Sequence, residues 1–215
     1  MTFFFFIFLL FMLFFPFLYI VLPELISRLL RHRFKARLGF DKTVFLTFDD
    51  GPDPVFTPKI LDRLSELGIT ATFFVLHTRA EKYPEIMKRI IDDGHAVGSH
   101  GIAHSHPWYN LPLRFIFRDI QGFGVVQKKY MIDQFMYRPP FGKMNLIILV
   151  YVFLRHAKLI WWTLDPQDYD KPDSSSIVDA VLSRLPRANS QRSVSILLHD
   201  GSYKNIGSFV SYTSE

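Results

Sequence analysis

The sequence predicts an α/β fold in which short strands alternate with helices and the strands form one barrel-like parallel sheet. Short apolar runs recur along the chain, and most are followed at once by a cluster of polar residues. Between them lie segments whose apolar residues have helical spacing. Because successive βα units bring the carboxyl ends of their strands to one face, we expect the polar clusters to form a single site.

The individual elements follow from this alternation. Strands are predicted over residues 44–48, 72–76, 135–137, 159–163 and 194–198. Helices are predicted over residues 57–67, 83–92, 114–130, 146–156 and 175–184. Gly68 and Gly94 come just after the first two helices, and glycine is a common helix terminator. The number of predicted strands is small for a complete eight-fold barrel.

The most informative motif is Thr47-Phe48-Asp49-Asp50-Gly51-Pro52, in which two adjacent carboxylates follow an apolar run. Such a pair at the end of a strand can divide catalytic work, one carboxylate binding a metal ion and the other accepting a proton. Taken alone, the same residues also fit an Asp-Asp-Gly-Pro turn at the surface. The remaining polar clusters favour the catalytic interpretation.

A second motif is the histidine-rich segment of residues 99–108. His100 and His104 are four residues apart, so both imidazoles can face one side of a helical turn or a tight loop. Two histidines and one carboxylate are a common metal-binding set that leaves room for water. A lone histidine here would be an ordinary polar loop residue, and His106 offers an alternative ligand pairing.

Three further clusters follow later apolar runs. They are the segments 138–145, which begins Arg-Pro-Pro-Phe-Gly, 161–169, which begins Trp-Trp, and 196–201, which ends His-Asp-Gly. Each one pairs a strand-like run with polar residues at its carboxyl end. This is the layout expected when several βα units supply one catalytic face.

In this order, the five segments resemble the motifs of the NodB-type polysaccharide deacetylases, carbohydrate esterase family 4, over about residues 43–201. The TFDDGP motif is highly specific for this family, and the ordered set is more specific still. The resemblance implies a distorted (β/α) barrel. It also implies a metal-dependent hydrolase that removes N-acetyl groups from amino-sugar glycans, with an N-acetylated glycan as its partner.

The resemblance implies roles for individual residues at the metal. Asp50, His100 and His104 match the family's metal ligands. The implied cofactor is a divalent cation, Zn²⁺ first, with Co²⁺, Mn²⁺ and Ni²⁺ as alternatives. Asp49 matches the general base, and Arg138 matches the residue that pairs with this base and keeps it ionised.

Other residues match positions that serve the substrate and the leaving group. His199 matches the general acid that protonates the departing amine, and Asp168 matches the carboxylate that raises the pKa of this histidine. Phe141 lies where a backbone N–H of the family stabilises the oxyanion. Leu197 and Tyr169 fall where apolar residues receive the acetyl methyl group, with Tyr169 replacing the usual Trp.

The sequence departs from the family pattern in two places. Gly101 stands where most members have Ser or Thr, so we expect a less rigid loop after His100. The family also continues beyond the His-Asp-Gly motif through a further helix and strand, whereas this chain has a short polar segment. We therefore expect a barrel that is incomplete at the C-terminus, with an uncovered sheet edge.

The N-terminal part predicts attachment to a membrane. Residues 3–22 carry no charge and are long enough to cross a bilayer as a transmembrane helix, whereas a cleaved signal peptide would have a basic start and a small-residue cleavage site. Residues 23–42 combine helically spaced apolar residues with basic ones, which favours an interfacial helix over a solvated linker. The predicted division is an anchor (1–22), a basic amphipathic segment (23–42) and a deacetylase-like domain (43–215), with membrane lipids contacting residues 3–37.

The charge of the chain is concentrated in that basic segment. The net charge is +5, yet residues 28–37 hold five Lys/Arg and no acid, and the rest of the chain is balanced. The basic excess therefore predicts no nucleic-acid partner. The absence of cysteine excludes disulfides and thiolate metal ligands.

The sequence leaves open the side of the membrane on which the catalytic domain lies, and three hypotheses for its function. The basic flank after residues 3–22 places the catalytic domain on the cytoplasmic face, whereas the family resemblance implies the extracytoplasmic side. The first hypothesis is a membrane-anchored deacetylase of N-acetylated glycans. The second is a deacylase of a lipid-linked amino sugar, which suits the cytoplasmic face. The third is an inactive glycan-binding remnant, suggested by the short C-terminus. The sequence gives no signal for an oligomeric state.

Overall fold

The structure is a computed structural model of the chain, and it describes residues 4, 12, 14–104, 122–170, 173–185 and 192–201. These residues form one six-stranded parallel sheet with the strand order β5-β4-β3-β2-β1-β6. The strands are β1 (Val44–Asp49), β2 (Thr72–Val75), β3 (Ala96–Ser99), β4 (Met136–Tyr137), β5 (Lys158–Leu159) and β6 (Val194–His199). The predicted α/β alternation is therefore present, with β1 in the interior of the sheet.

The helices lie between the strands in sequence. They are α1 (Leu22–Arg37), α2 (Phe56–Glu66), α3 (His77–Lys82), α4 (Pro84–Asp92), α5 (Leu146–Leu154) and α6 (Ser174–Arg184). Residues 122–129 are also helical, whereas the earlier part of the predicted helix 114–130 lies outside the described residues. Helix α3 has no counterpart among the sequence predictions, because its six residues, His-Thr-Arg-Ala-Glu-Lys, carry little apolar periodicity.

The hydrophobic core lies between the sheet and the helices packed on it. Helix α2 buries Ile60, Leu61 and Leu64, and helix α4 buries Met87 and Ile90. Both helices show the three-and-four spacing that marked them in the sequence. The strands are fixed by this burial, so their carboxyl ends are held on a rigid frame.

The sheet curls towards closure through the chain that follows β5. The N–H groups of Thr163 and Leu164 donate to the Ser195 carbonyl at 2.9 and 3.1 Å, and the N–H of Leu197 donates to the Leu164 carbonyl at 2.9 Å. Residues 163–164 thus pair with the outer edge of β6. The expected uncovered edge is in part already paired, and the segment after Gly201 lies outside the described residues.

The N-terminal helix packs against the domain. A π-helical turn at Phe17–Val21 leads directly into α1, and Leu30 and Phe34 of α1 pack against the core, whereas Leu25 and Leu29 are about half exposed. Part of the apolar face assigned to a membrane interface therefore contacts protein. Much of the predicted span 3–22 lies outside the described residues, and no helix within the described ranges is long and apolar enough to cross a membrane.

Candidate active site

Asp50, His100 and His104 converge at the carboxyl ends of β1 and β3. Asp50 Oδ1 lies 3.5 Å from His100 Nε2 and 3.5 Å from His104 Nε2. The three ligand atoms all lie within 4.8 Å of one another, which makes the group a possible metal site. The structure thus brings together the three residues that the sequence selected as metal ligands.

The orientation of His100 suits a metal ligand. Its Nδ1 lies 2.8 Å from the backbone carbonyl of Arg138, and because a carbonyl can only accept, Nδ1 carries the proton and Nε2 keeps its lone pair. Burial lowers the pKa of His100 to about 3, so the imidazole is neutral at physiological pH. A neutral imidazole with a fixed tautomer is the form that binds a metal ion.

Asp49 and Arg138 form a buried ion pair below this cluster. Arg138 Nη1 donates to Asp49 Oδ1 at 2.7 Å and to Thr47 Oγ1 at 2.8 Å. The remaining guanidinium donors reach the carbonyls of Ile160 and Trp161 at 3.3 and 3.2 Å. Because all these partners are fixed, Arg138 leaves only one oxygen of Asp49, Oδ2, facing His100 at 3.7 Å from Nε2.

The protonation of Asp49 reflects two opposing effects. Burial raises the pKa of Asp49 above its usual range, and the charge and hydrogen bond of Arg138 lower it. The net direction is upward, whereas the sequence argument considered only the lowering by Arg138. A raised carboxyl pKa strengthens Asp49 as a proton acceptor, since the best general base titrates near the working pH.

His199 and Asp168 form a second ion pair on the same face. His199 Nδ1 lies 2.7 Å from Asp168 Oδ1, and the His199 backbone N–H donates to Asp168 Oδ2 at 2.8 Å. Burial alone would lower the pKa of His199, but the hydrogen bond and charge of Asp168 raise it to about 9. The imidazole therefore holds a proton at neutral pH. Asp49 and His199 are Cα partners on β1 and β6, which places a proton acceptor beside a proton donor.

These groups surround a cleft of about 420 Å³. It is lined by Asp49, His100, His104, Pro139, Phe141, Trp162, Asp165, Tyr169, Leu197 and His199. The other three predicted site residues, Asp50, Arg138 and Asp168, are buried beneath this lining. Every residue that the sequence selected for the site therefore lies in the cleft or supports it, whereas His106 lies outside the described residues.

Phe141 occupies an unusual backbone conformation at the rim of the cleft. Its φ is +56°, in the left-handed region that bulky residues seldom adopt, and Gly142 follows with a φ of +64°. The Phe141 ring packs against His104 with ring centroids 4.4 Å apart. Strained backbone of this kind persists only where the surroundings hold it, and it is common at functional sites.

Gly101 also has a conformational role in this structure. Its φ is +84°, a region that glycine adopts without steric cost. The loop is fixed by hydrogen bonds, since Gly101 N–H donates to Ser99 Oγ at 3.2 Å and its carbonyl accepts from His77 N–H at 3.0 Å. Glycine at this position thus suits the turn that carries His100 to the site.

Asp200 is a buried carboxyl that anchors the loop after β1. Thr57 Oγ1 donates to Asp200 Oδ2 at 2.7 Å and accepts from the Asp53 N–H at 2.7 Å. Burial raises the pKa of Asp200 to about 7. A Cβ added at Gly51 would lie 2.1 Å from Asp200 Oδ2, so only glycine fits beside this carboxyl.

The comparisons with known proteins agree with this geometry. A sequence model of the polysaccharide deacetylase family matches residues 39–152. A peptidoglycan-N-acetylglucosamine deacetylase of Bacillus cereus is 31% identical over 163 residues, which cover 75% of this chain and 74% of that protein. The chain belongs to the polysaccharide deacetylase family. A chitooligosaccharide deacetylase of Sinorhizobium fredii is 35% identical over 166 residues, covering 74% of this chain and 72% of that protein.

Solved structures give the same family. The crystal structure of the Bc1960 peptidoglycan N-acetylglucosamine deacetylase superposes with a TM-score of 0.69 and 29% identity, covering 81% of this chain and 79% of that chain. The family recognised from the five motifs is therefore confirmed, and so is the prediction of an enzyme. The curled parallel sheet of this polysaccharide deacetylase matches the NodB-type fold.

Four residues of this polysaccharide deacetylase site lie within the sequence motifs, but the sequence did not indicate a role for them. Thr47 precedes the Asp pair and bonds Arg138, while Trp162 and Asp165 line the cleft. Asp200 follows His199 directly. Each of these residues lies within a few positions of a predicted site residue. A polar or aromatic residue so close to a predicted catalytic residue is the sequence signal that could have identified them.

Proposed function

We propose that this polysaccharide deacetylase is a Zn²⁺-dependent, membrane-anchored enzyme that removes the N-acetyl group from amino sugars of a glycan chain. The convergence of Asp50, His100 and His104 beside a buried acceptor and a protonated donor carries the proposal. Deacetylation of an amide needs these same parts, since the carbonyl is a weak electrophile and the leaving amine must receive a proton.

The donor set fits a zinc-class ion. One carboxylate oxygen and two imidazole nitrogens are ligands that Zn²⁺ accepts, and three protein ligands leave a position open for catalysis. Two ligands about 2.1 Å from a shared tetrahedral ion lie roughly 3.4 Å apart. The observed spacings of 3.5 Å between Asp50 and each histidine agree with this value. Such an ion, when bound, polarises the acetyl carbonyl and makes water nucleophilic at neutral pH.

The chain's own residues would carry the protons. Asp49 Oδ2 would accept the proton of the attacking water, because Oδ1 is already taken by Arg138. His199 would donate the proton from Nε2 to the departing nitrogen, because its Nδ1 is held by Asp168. The Phe141 backbone N–H would support the developing oxyanion. Leu197 and Tyr169 would line the pocket for the acetyl methyl group.

The substrate class rests on the relatives. The relatives of this chain are named as deacetylases of peptidoglycan N-acetylglucosamine and of chitooligosaccharides. We therefore infer a polymer or oligomer of N-acetylglucosamine as substrate. Attachment through residues 3–22 would hold the enzyme at a membrane, which suits a glycan that lies close to one.

The test is acetate release by the full chain purified in detergent. Protein stripped with a chelator is assayed on N-acetylglucosamine oligomers before and after addition of Zn²⁺, with Co²⁺, Mn²⁺ and Ni²⁺ in parallel. The full chain is required because α1 packs against the core, so a fragment starting after residue 37 would lose part of the folded domain.

Zn²⁺-dependent acetate release from the oligomers is the expected result. Release only from a lipid-linked amino sugar would replace the glycan with that substrate. No release from folded, metal-loaded protein on either substrate would contradict the proposed activity. Higher turnover with another of the four ions would change the assigned metal only.

A further inference from the structure

The π-helical turn Phe17–Val21 and helix α1 lie beside the loop that follows Arg138, although both precede residues 39–152, which the family model matches. Asn145 Nδ2 donates to the Tyr19 hydroxyl at 3.1 Å. Tyr19 is 5% exposed, and Asn145 is completely buried. Asn145 also caps helix α5, since its Oδ1 accepts from the Ile148 N–H at 2.9 Å. One end of the loop is thereby tied to the N-terminal helix.

A second contact joins Arg31 of α1 to the middle of the same loop. The Arg31 guanidinium lies over the Trp161 ring, 5.2 Å from its centroid. A Cβ added at Gly142 would lie 3.6 Å from Arg31 Nη1. Glu24 Oε1 accepts from Arg31 Nη2 at 3.1 Å, so the guanidinium is held over the Trp161 ring, beside Gly142.

The loop needs such support because of its backbone. Phe141 and Gly142 are consecutive residues with positive φ, and the left-handed region is strained for a bulky residue such as phenylalanine. The same added Cβ at Gly142 would lie 2.9 Å from Trp162, closer than a real Cβ can approach. Trp162 and Arg31 therefore both face Gly142 from the side on which a Cβ would project, and Tyr19 bonds Asn145 at the end of the loop.

We propose that Tyr19, in the π-helical turn before α1, and Arg31 of α1 are positioning residues that hold Phe141 in its left-handed conformation over His104. The inference rests on the proposed function for its catalytic consequence, since it concerns the residue whose N–H would support the oxyanion. The last residues of the predicted membrane anchor, together with the helix that follows them, are then part of the catalytic unit. Removing either contact would let residues 139–145 relax and would misplace that N–H.

A matched pair of variants tests the role of Arg31. Arg28 and Arg31 both pair with Glu24, but the Arg28 side chain is 70% exposed and lies away from the loop contacts described. In the full chain loaded with Zn²⁺, Arg31→Ala should lower kcat about tenfold or more with a smaller change in KM, because misplacing a catalytic group costs rate. Arg28→Ala should leave kcat unchanged. Tyr19→Phe, which keeps the ring, should lower kcat about three- to tenfold.

A second measurement separates this inference from the activity itself. Amide hydrogen exchange of residues 141–145 should become faster in Arg31→Ala and Tyr19→Phe and stay unchanged in Arg28→Ala. If the unmodified chain released no acetate, the proposed function would fail while the exchange result still decided the positioning role. Equal exchange and equal kcat in Arg31→Ala, Tyr19→Phe and Arg28→Ala would overturn it.

Discussion

The two ends of the curled sheet differ in how their space is filled. At the carboxyl ends of the strands, charged groups are packed against specific partners, as in the Asp49–Arg138 and His199–Asp168 pairs. At the amino ends lies a cavity of about 370 Å³ with a largely apolar lining that includes Phe45. Phe34 and Arg37 of α1 line the same cavity.

This difference shows where the fold needs exact geometry. A buried charge is costly unless it is paired, so each catalytic group at the carboxyl ends requires its partner. Apolar side chains at the amino ends make no directional bonds, so a cavity there costs van der Waals contacts but leaves none of these side chains with an unpaired polar group. We therefore expect substitutions at the carboxyl ends to change chemistry, and substitutions of apolar residues at the amino ends to change only stability.

The largest expected effect comes from the metal-ligand cluster. Asp50→Ala removes one of three converging ligands, so it should abolish both bound Zn²⁺ and acetate release. Metal content by elemental analysis and turnover are the measurements. Asp62→Ala, an exposed carboxylate on α2, should change neither. Retention of one Zn²⁺ per chain in Asp50→Ala would show that the ligand set is different.

Asp49→Asn should separate metal binding from chemistry. The asparagine is isosteric and can still accept from Arg138, but it cannot take a proton. Zn²⁺ should stay bound while kcat falls about 10²–10⁴-fold, the usual contribution of a general base. Unchanged turnover would mean that another group accepts the proton.

Asp168→Asn should move the pH dependence. Burial still lowers the pKa of His199, and the charge that raises it to about 9 would be lost. The alkaline limb of kcat should shift down by about one pH unit or more. In the unmodified chain, this pair stabilises the fold fully below pH 6.5, and the stabilisation is lost as pH rises through about 9.

Thermal melts across that range, together with pH–rate profiles, measure both effects. In Asp168→Asn, the titration of His199 should contribute little change in Tm between pH 6.5 and 9. An unshifted alkaline limb in Asp168→Asn would contradict the assignment of His199 as the acid controlled by Asp168.

The smallest effects should come from a pair of threonines at the boundary of the two ends. Thr47 and Thr72 are Cα partners on β1 and β2, and both line the cavity at the amino ends of the strands. Thr47 also bonds Arg138 and donates to the Ile196 carbonyl at 2.6 Å. Thr47→Val should lower kcat about tenfold through Arg138, whereas Thr72→Val should leave kcat unchanged and alter stability by about 1 kcal/mol or less. Equal kcat in the two variants would remove the functional boundary between the ends.

The sequence predicted β1, β2, β4 and β6 and the position of the candidate site for the same physical reason, whereas β3 was not among the predicted strands and the predicted strand 159–163 overlaps β5 only at Leu159. Each of these four strands is a short apolar run followed by polar residues at its carboxyl end. Strands β1 and β6, and the residues after them, could therefore be located from the local sequence. The convergence of His100 and His104 was predicted because they have the spacing of metal ligands on one turn. The order of the five motifs along the chain then indicated the family.

The role of α1 could not be predicted in the same way. Its apolar residues have helical spacing, and a membrane interface and a protein core require the same pattern, so the sequence does not distinguish the two partners. The contact of Leu30 and Phe34 with the core emerges only from the folded chain. The pairing of residues 163–164 with β6 was missed because it joins segments far apart in sequence.

The close approach of Gly51 and Asp200 has a consequence for how the enzyme is assembled. These residues are separated by most of the chain, and their contact forms only when β6 joins β1. Pairing across so long a separation is slow, because the intervening chain must be ordered first. The ribosome releases β1 long before β6, so the nascent chain contains both carboxylates of the Asp pair before it contains His199, the proposed acid. Catalytic competence therefore arrives as a late event of folding, after the whole sheet has been synthesised.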